Sequence, residues 1–438
     1  MATESTIRSR AVSDALAKRI GRFRWAICGL LLMGAVINYM DRQIFGVFKT
    51  TLQSQFGWSE VDYGNLVAWF QGAYAVGLLV MGRVIDRLGT RRGYSLVMIV
   101  WTCASMVTGA CTSLVSFIAA RASLGIGESG VFPSSIKAVA EWFPKRERAL
   151  ATGIFNSGTN IGAILTPITA GVLTRYLGWR WAFVIVGALG FAWLILWLAM
   201  YRKPEEHARC SPAELDLIRS DPPEHMLKVS WAEVLPHRQA WAFAVGKFCT
   251  DPIWWFYLFW IPDFLQRTYK LNLLQASLPL AMMYLLATGG SVGAGWVSGA
   301  MIKGGSSVNR ARKTAMLICA LCVLPIIIIS HVANLWLAVV LLGVAAASHQ
   351  GFSANLYTIT SDMFPNPVVA TVTGFGGMAG AVGGLFIAKF VGYILQKTNS
   401  YLLPFIIAGS AYLVALAAVH VLAPRLELAH LRTTAGQP

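Results

Sequence analysis

Asp41 and Arg42 stand side by side in NYMDRQIF, within an otherwise apolar stretch that begins at Trp25. In the middle of a bilayer each ionised side chain costs about 2.5 to 3.5 kcal/mol on insertion scales, so an adjacent pair there needs a compensating role. A guanidinium, which keeps its proton, can grip a carboxylate through two parallel hydrogen bonds. A carboxyl group in a cavity can lose its charge by taking up a proton, so its protonation state is a switch. Glu128 offers the same chemistry in a later apolar stretch, with Arg121 seven residues earlier on the same helical face. A structural reading stands beside the chemical one: Asp41 and Arg42 can neutralise each other, and Glu128 can neutralise Arg121.

Further along, Lys247 and Asp251 are four residues apart and can meet on one helix face, although this order is the weaker one for pairing. Trp254, Trp255 and Tyr257 follow; such rings either stack on the apolar side of a sugar or face lipid. His349, Gln350, Ser353 and Tyr357 share one broad face of another apolar stretch and can bind hydroxyl groups. A histidine in that setting is also commonly satisfied by a neighbour in the core. The seven cysteines lie mostly in apolar segments, and Cys319 and Cys322 read as small core residues rather than a redox or metal pair. H-E-x-x-H, a ligand-spaced His/Cys group and G-x-x-x-x-G-K-[ST] are all missing from the sequence. An enzyme, a metal or other cofactor, and ATP as an energy source are therefore not expected.

The elements that carry these residues are read from composition. Of 438 residues, 56% are hydrophobic and 13% charged, too apolar for an ordinary soluble domain. Windows of about 20 apolar residues fall near 25–45, 63–82, 93–112, 114–138, 149–173, 180–201, 241–265, 277–300, 313–330, 335–360, 368–393 and 402–422. They predict an all-α membrane protein with twelve transmembrane helices; the alternation of barrel strands is absent from these segments. The net charge of +16 sits in short basic runs between apolar segments, not on one polar face, which argues against nucleic acid as a partner. Residues 1–24 have no short apolar core with a cleavage pattern, so no removable signal peptide is expected. The N-terminal segment and the loops after spans 2, 4 and 8 hold seventeen Lys or Arg against six in the opposite loops, predicting both termini in the cytoplasm.

The polar loop 202–239 separates an N-terminal bundle, 1–201, from a C-terminal one, 240–438; its SPAELDLIRS predicts a short helix capped by Ser211, with Glu214 three residues on. At 38 residues it is too small for the output domain of a transport-like sensor. Shifting the sequence by 221 residues superposes Arg91 on Arg312, Glu141 on Asp362, Phe143 on Phe364, Pro144 on Pro365, Thr152 on Thr373, Gly153 on Gly374 and Gly162 on Gly383, and sets His349 against Glu128. Parallel repeats of six helices, with a site between them near the midplane, are one recurrent transporter architecture.

Gly82, Asp86, Arg87, Gly89, Arg91 and Arg92 in GRVIDRLGTRR resemble the loop signature of the major facilitator superfamily, G-x-x-x-D-R-x-G-x-R-R, at every position. The glycines let helix ends turn, Asp86 can face a helix N-terminus, and the arginines can bind helix-end carbonyls and so gate the cytoplasmic side. A basic loop that only sets topology is the alternative. NYMDR, RASLGIGESGVFPSSIKAVAEWFPKRERALATGIFNSG, DPIWWFYLFWIPDFL and SHQGFSANLYTITSDMFP resemble the anion:cation symporter family, particularly its bacterial hexuronate and galactonate transporters.

That resemblance covers nearly the whole chain and implies two pseudo-symmetric six-helix bundles. It implies Arg42 as the carboxylate anchor, with substrate contacts from Tyr39, Tyr74 and Asn160 and proton carriage by Asp41 and Glu128. Some hexuronate relatives lack the first carboxylate, which leaves the role of Asp41 and the proton count open. Thr159 and Gly377 depart from the Gln and Asn of galactonate relatives and count against galactonate. The implied function is proton-coupled symport of a hexuronate such as glucuronate or galacturonate by alternating access. The implied setting is the inner membrane of a bacterium, with a monomer whose partners are the organic anion, protons and the lipid bilayer. Galactonate or another small organic carboxylate, and sodium in place of protons, are the alternatives.

Overall fold

The computed structural model describes residues 21–220, 234–364 and 366–429. The basic residues Arg8, Arg10, Lys18 and Arg19, and the side chains of Asp86, Lys145, Arg146 and Arg148, lie outside the described residues. The first half comprises α1 (Phe23–Val47), a short α2 (Lys49–Phe56), α3 (Glu60–Ile85), α4 (Arg87–Ala110), α5 (Leu114–Trp142), α6 (Lys145–Leu177) and α7 (Trp179–Met200). After α8 (Pro212–Ile218), the second half comprises α9 (Arg238–Tyr269), α10 (Leu273–Lys303), α11 (Val308–His331), α12 (Leu335–Met363), α13 (Asn366–Thr398) and α14 (Leu402–Leu422).

Ten of these helices are long and apolar enough to cross a membrane. Two more long helices, α6 and α9, have 33 and 32 residues, ample for a hydrocarbon core about 30 Å thick. They fall short only in hydropathy, because α6 carries Asn156, Thr159 and Asn160 and α9 carries Lys247, Asp251 and Asp263. The two least apolar helices are thus among those that build the polar interior. Together the twelve give the expected all-helical membrane fold.

Local chemistry fixes the helix ends. Ser59 and Asp62 form a reciprocal capping box that starts α3, and Asn272 with Gln275 does the same for α10. Two residues into α4 the helical backbone breaks at Gly89, whose φ of 76° costs glycine nothing. Just beyond, Arg91 donates to the carbonyl of Leu198 in the last turn of α7 at 2.6 Å, while Arg87 and Arg92 are exposed. The Oγ of Ser211 accepts from the backbone N–H of Glu214 at 3.2 Å, so α8 is capped as the sequence indicates. The Glu214 carboxylate, however, serves another helix: it accepts from the backbone N–H of Phe23 and Arg24 at 3.3 and 3.1 Å and from the Arg24 guanidinium at 3.0 Å. A carboxylate at the start of α1 satisfies donors that have no partner within the helix and suits the positive end of its dipole.

The repeat is looser in its contacts than in its sequence. Arg312 pairs with Asp362 at 3.2 Å. The matching Glu141 instead accepts from Thr90 at 2.6 Å and from Tyr201.

The halves meet along a seam that is closed at one end. Gly64 of α3 lies against Ala388 and Gly392 of α13 so closely that a Cβ at 64 would stand 2.7 Å from the Ala388 carbonyl oxygen. Nearby, Lys49 pairs with Asp263 at 2.6 Å and Glu60 at 2.7 Å, and Arg267 pairs with Asp263 at 2.8 Å and with Glu60. Thr50–Gln266 and Tyr63 to the Phe259 carbonyl, both at 2.8 Å, extend the contact. Among the described residues, every hydrogen bond and ion pair between the halves lies from this end to the middle.

Lys49 is fully buried between two carboxylates, so Lys49→Met leaves Asp263 and Glu60 undercompensated. Such a loss in a buried pair costs about 3–5 kcal/mol. The expected outcome is a shift toward opening of this end. Spin labels at the exposed Ser54 and Lys270 then gain a longer-distance population; an unchanged distance distribution contradicts a locking role.

Candidate substrate and proton site

Halfway along the seam, Arg42 of α1 donates from Nε to Glu128 Oε2 of α5 at 2.6 Å. A second nitrogen reaches Asn38 Oδ1 at 3.5 Å, one turn back on α1. Four rings surround the guanidinium: Tyr74 at 4.9 Å, Tyr39 at 5.0 Å, Trp255 at 5.1 Å and Phe70 at 5.7 Å to their centroids. Trp255 belongs to α9, so the cation faces the opposite half. Cation–π contacts stabilise the charge without occupying its donors, which leaves hydrogen-bonding capacity for an incoming carboxylate. Glu128 Oε1 has no hydrogen-bond partner among the described residues.

Asp41, although adjacent in sequence, turns the other way. It accepts from Trp101 Nε1 at 2.7 Å and from Ser105, both on α4 of the same half, and is fully buried. The mutual neutralisation of Asp41 and Arg42 that their adjacency permits is therefore not formed: consecutive helical positions point about 100° apart, and each finds a different neighbour. Arg121 is also fully buried, with its cation 4.6 Å from Phe45, 4.5 Å from Phe70 and 5.9 Å from Phe259. All three of its nitrogens are without hydrogen-bond partners among the described residues. The hydrogen-bonded partner of Glu128 is thus Arg42, not Arg121.

The second half supplies its own polar cluster. Lys247 and Asp251 pair at 2.6 Å on α9, with the Tyr357 ring of α12 4.2 Å from the ammonium. His349 Nδ1 lies 2.8 Å from the Tyr412 hydroxyl, and its ring stacks on Trp254 at 5.0 Å. The histidine is held by neighbours, as a core histidine would be, yet lies on the wall that faces Tyr39, which approaches Trp254 and Tyr357 across the seam. Ser353 is buried, while Asn160 and Gln350 are half-buried; none of the three has a side-chain hydrogen bond among the described residues. Gly82, toward the opposite end, has open space around it. Asp86, the remaining signature residue, has a side chain outside the described residues.

Three polar residues here escaped a reading focused on charge. The amides of Gln43 and Gln71 and the hydroxyl of Tyr284 are buried without partners among the described residues. Gln71 abuts Gly384 in the opposite half. Their signal was present: Gln43 and Gln71 are amides within apolar runs, where an unsatisfied polar group is costly unless it faces a polar cavity.

A pair of helical halves, joined by ion pairs at one end and enclosing buried ionisable and amide groups, defines a membrane transporter rather than an enzyme. A profile of the Major Facilitator Superfamily matches residues 31–388, and the chain belongs to that superfamily. It is 30% identical over 381 residues to the hexuronate transporter of Escherichia coli K12, covering 86% of this chain and 88% of that one. It is also 30% identical to the D-galactonate transporter of Escherichia coli O6:H1, covering 87% and 91%. A solved bacterial homologue of the human lysosomal transporter Spinster, in an inward-facing occupied conformation, has the same fold, with a TM-score of 0.73, 17% identity and coverage of 92% and 97%.

Proposed function

We propose that this protein imports a sugar-acid anion, a hexuronate such as glucuronate or galacturonate, together with protons, across the inner membrane of a bacterium. The observation that carries the reading is the buried Arg42–Glu128 pair at 2.6 Å. While Glu128 is ionised it occupies the guanidinium; once protonated it releases Arg42 to a substrate carboxylate. Substrate and proton thus favour each other's binding, which is what coupling requires. Asp41 is a second proton carrier, linked to the site through α1. Tyr39, Tyr74, Arg121, Asn160, Lys247, His349, Gln350, Ser353 and Tyr357 are the candidate contacts for the rest of the substrate.

With the basic loops in the cytoplasm, the end joined by Lys49 and Asp263 faces outward, and its closure supports a resting chain that opens to the cytoplasm. The halves 1–201 and 240–438 rock about the central site, with loop 202–239 between them. The signature residues Gly82, Asp86, Arg87, Gly89, Arg91 and Arg92 close the cytoplasmic end in the opposite state, and a single chain suffices for the cycle.

The test is uptake of labelled glucuronate and galacturonate into proteoliposomes under an imposed pH gradient, with sodium varied at fixed pH and with unlabelled galactonate and small dicarboxylates as competitors. Uphill uptake that follows the pH gradient and ignores sodium is expected. No uptake of any sugar acid refutes the reading, and dependence on sodium alone replaces the coupling ion.

A further inference from the structure

Lys247 and Asp251 repeat, on the opposite wall, the chemistry of Arg42 and Glu128: a buried cation and carboxylate at hydrogen-bonding distance, backed by an aromatic ring. A helical i,i+4 pair of this kind contributes only about 0.3–0.5 kcal/mol where it is exposed. Two ions at membrane depth cost several times as much, about 2.5–3.5 kcal/mol each on insertion scales. Helix stabilisation alone therefore does not explain the pair. Nor is it sealed off, because Tyr357, which covers the ammonium, is 41% exposed. Lys247 lies eight residues, about 12 Å along α9, from Trp255, whose ring covers Arg42. Spanned from both sides by the long arms of lysine and arginine, that separation suits the two ends of a six-carbon chain.

We infer that Lys247 and Asp251 form a second charged subsite that reads the far end of the substrate and accepts a second carboxylate there together with one further proton. This rests on the reading of Arg42 as the anchor for the first carboxylate. The pair is neutral as it stands, so an added carboxylate requires a proton. The groups facing it are His349 and Tyr357 of α12 and Tyr412 of α14, while α13 presents the uncharged Gly380. Asp251 is the one carboxylate among them and takes the proton. Lys247, released from Asp251, then holds the incoming anion. The proton comes from the side to which the chamber is open during loading and leaves on the other side with the substrate. A six-carbon sugar acid with a carboxylate at each end is thus carried with one more proton than its monocarboxylate counterpart.

Reconstituted protein is assayed with labelled glucuronate, which has one carboxylate, and glucarate, which has two, and proton stoichiometry is read from reversal potentials. Wild-type protein is expected to carry both, glucarate with one additional proton. Truncating one partner of a buried charge pair costs about 2–5 kcal/mol. In Lys247→Met the ratio of glucarate to glucuronate uptake accordingly falls about thirtyfold or more, and Lys247→Arg restores much of it. Equal losses for the two substrates, equal proton counts, or exclusion of glucarate while glucuronate is carried each overturn the inference and leave the anchor at Arg42 standing. Failure to carry either substrate overturns both.

Discussion

Arg42→Ala is expected to lower the initial rate of glucuronate uptake about a hundredfold or more, with Arg42→Lys recovering only part of the loss. Losing one member of a buried ion pair costs about 3–5 kcal/mol, and each 1.4 kcal/mol is a factor of ten. Arg42 serves Glu128 at 2.6 Å and Asn38 at 3.5 Å while lying between rings from both halves. A lysine ammonium keeps the charge but not the planar fork that holds a carboxylate through two bonds and stacks on rings. Thermal melting of the purified variants separates this effect from misfolding. Wild-type uptake by a folded Arg42→Ala variant removes Arg42 as the anchor.

Glu128→Gln is expected to act differently: accumulation against a gradient is lost, whereas exchange of internal for external substrate continues. Glutamine copies the protonated acid in shape and charge, so Arg42 is available to substrate at every pH, and a proton on Asp41 alone no longer gates the anchor. Movement down the substrate gradient and one-for-one exchange remain because they need only the anchor and the rocking of the halves. The size of the effect is set by the gradient: a difference of one pH unit drives about a tenfold concentration ratio per coupled proton, and the variant falls toward a ratio of one. Parallel accumulation and counterflow assays on one proteoliposome preparation check it. Full accumulation by the variant removes Glu128 from coupling.

The fold was legible in the sequence because a bilayer imposes one strong rule: about twenty apolar residues per span, with every backbone group bonded within its helix. All twelve spans follow from it. Even α6 and α9, which dip in hydropathy, are marked by their length and by the polar residues they bring to the interior. The composition of the candidate site was legible for a related reason: a charge inside a span is expensive and therefore conspicuous, which singles out Arg42, Glu128 and Lys247 as candidates. Partner choice was not. Sequence adjacency invites a bond between Asp41 and Arg42, but their directions around α1 and the positions of Trp101 and Glu128 are tertiary facts. The ion-pair cluster at the joined end was hidden similarly, because Lys49, Glu60, Asp263 and Arg267 lie near span ends, where charges are ordinary and carry no special signal. Glu214 shows a third limit: its three-residue offset from Ser211 points to a local cap, and only packing brings it under α1.

The central claim, that substrate carboxylate and proton exchange places on the Arg42–Glu128 pair, is tested most directly by counting protons taken up when glucuronate binds the purified protein. Calorimetric titration in buffers of different ionisation enthalpy gives that number. Wild-type protein is expected to take up protons on binding, and Glu128→Gln to bind glucuronate with one proton fewer. Glucuronate binding with no proton uptake by wild-type protein, or with the same uptake by both proteins, contradicts the account.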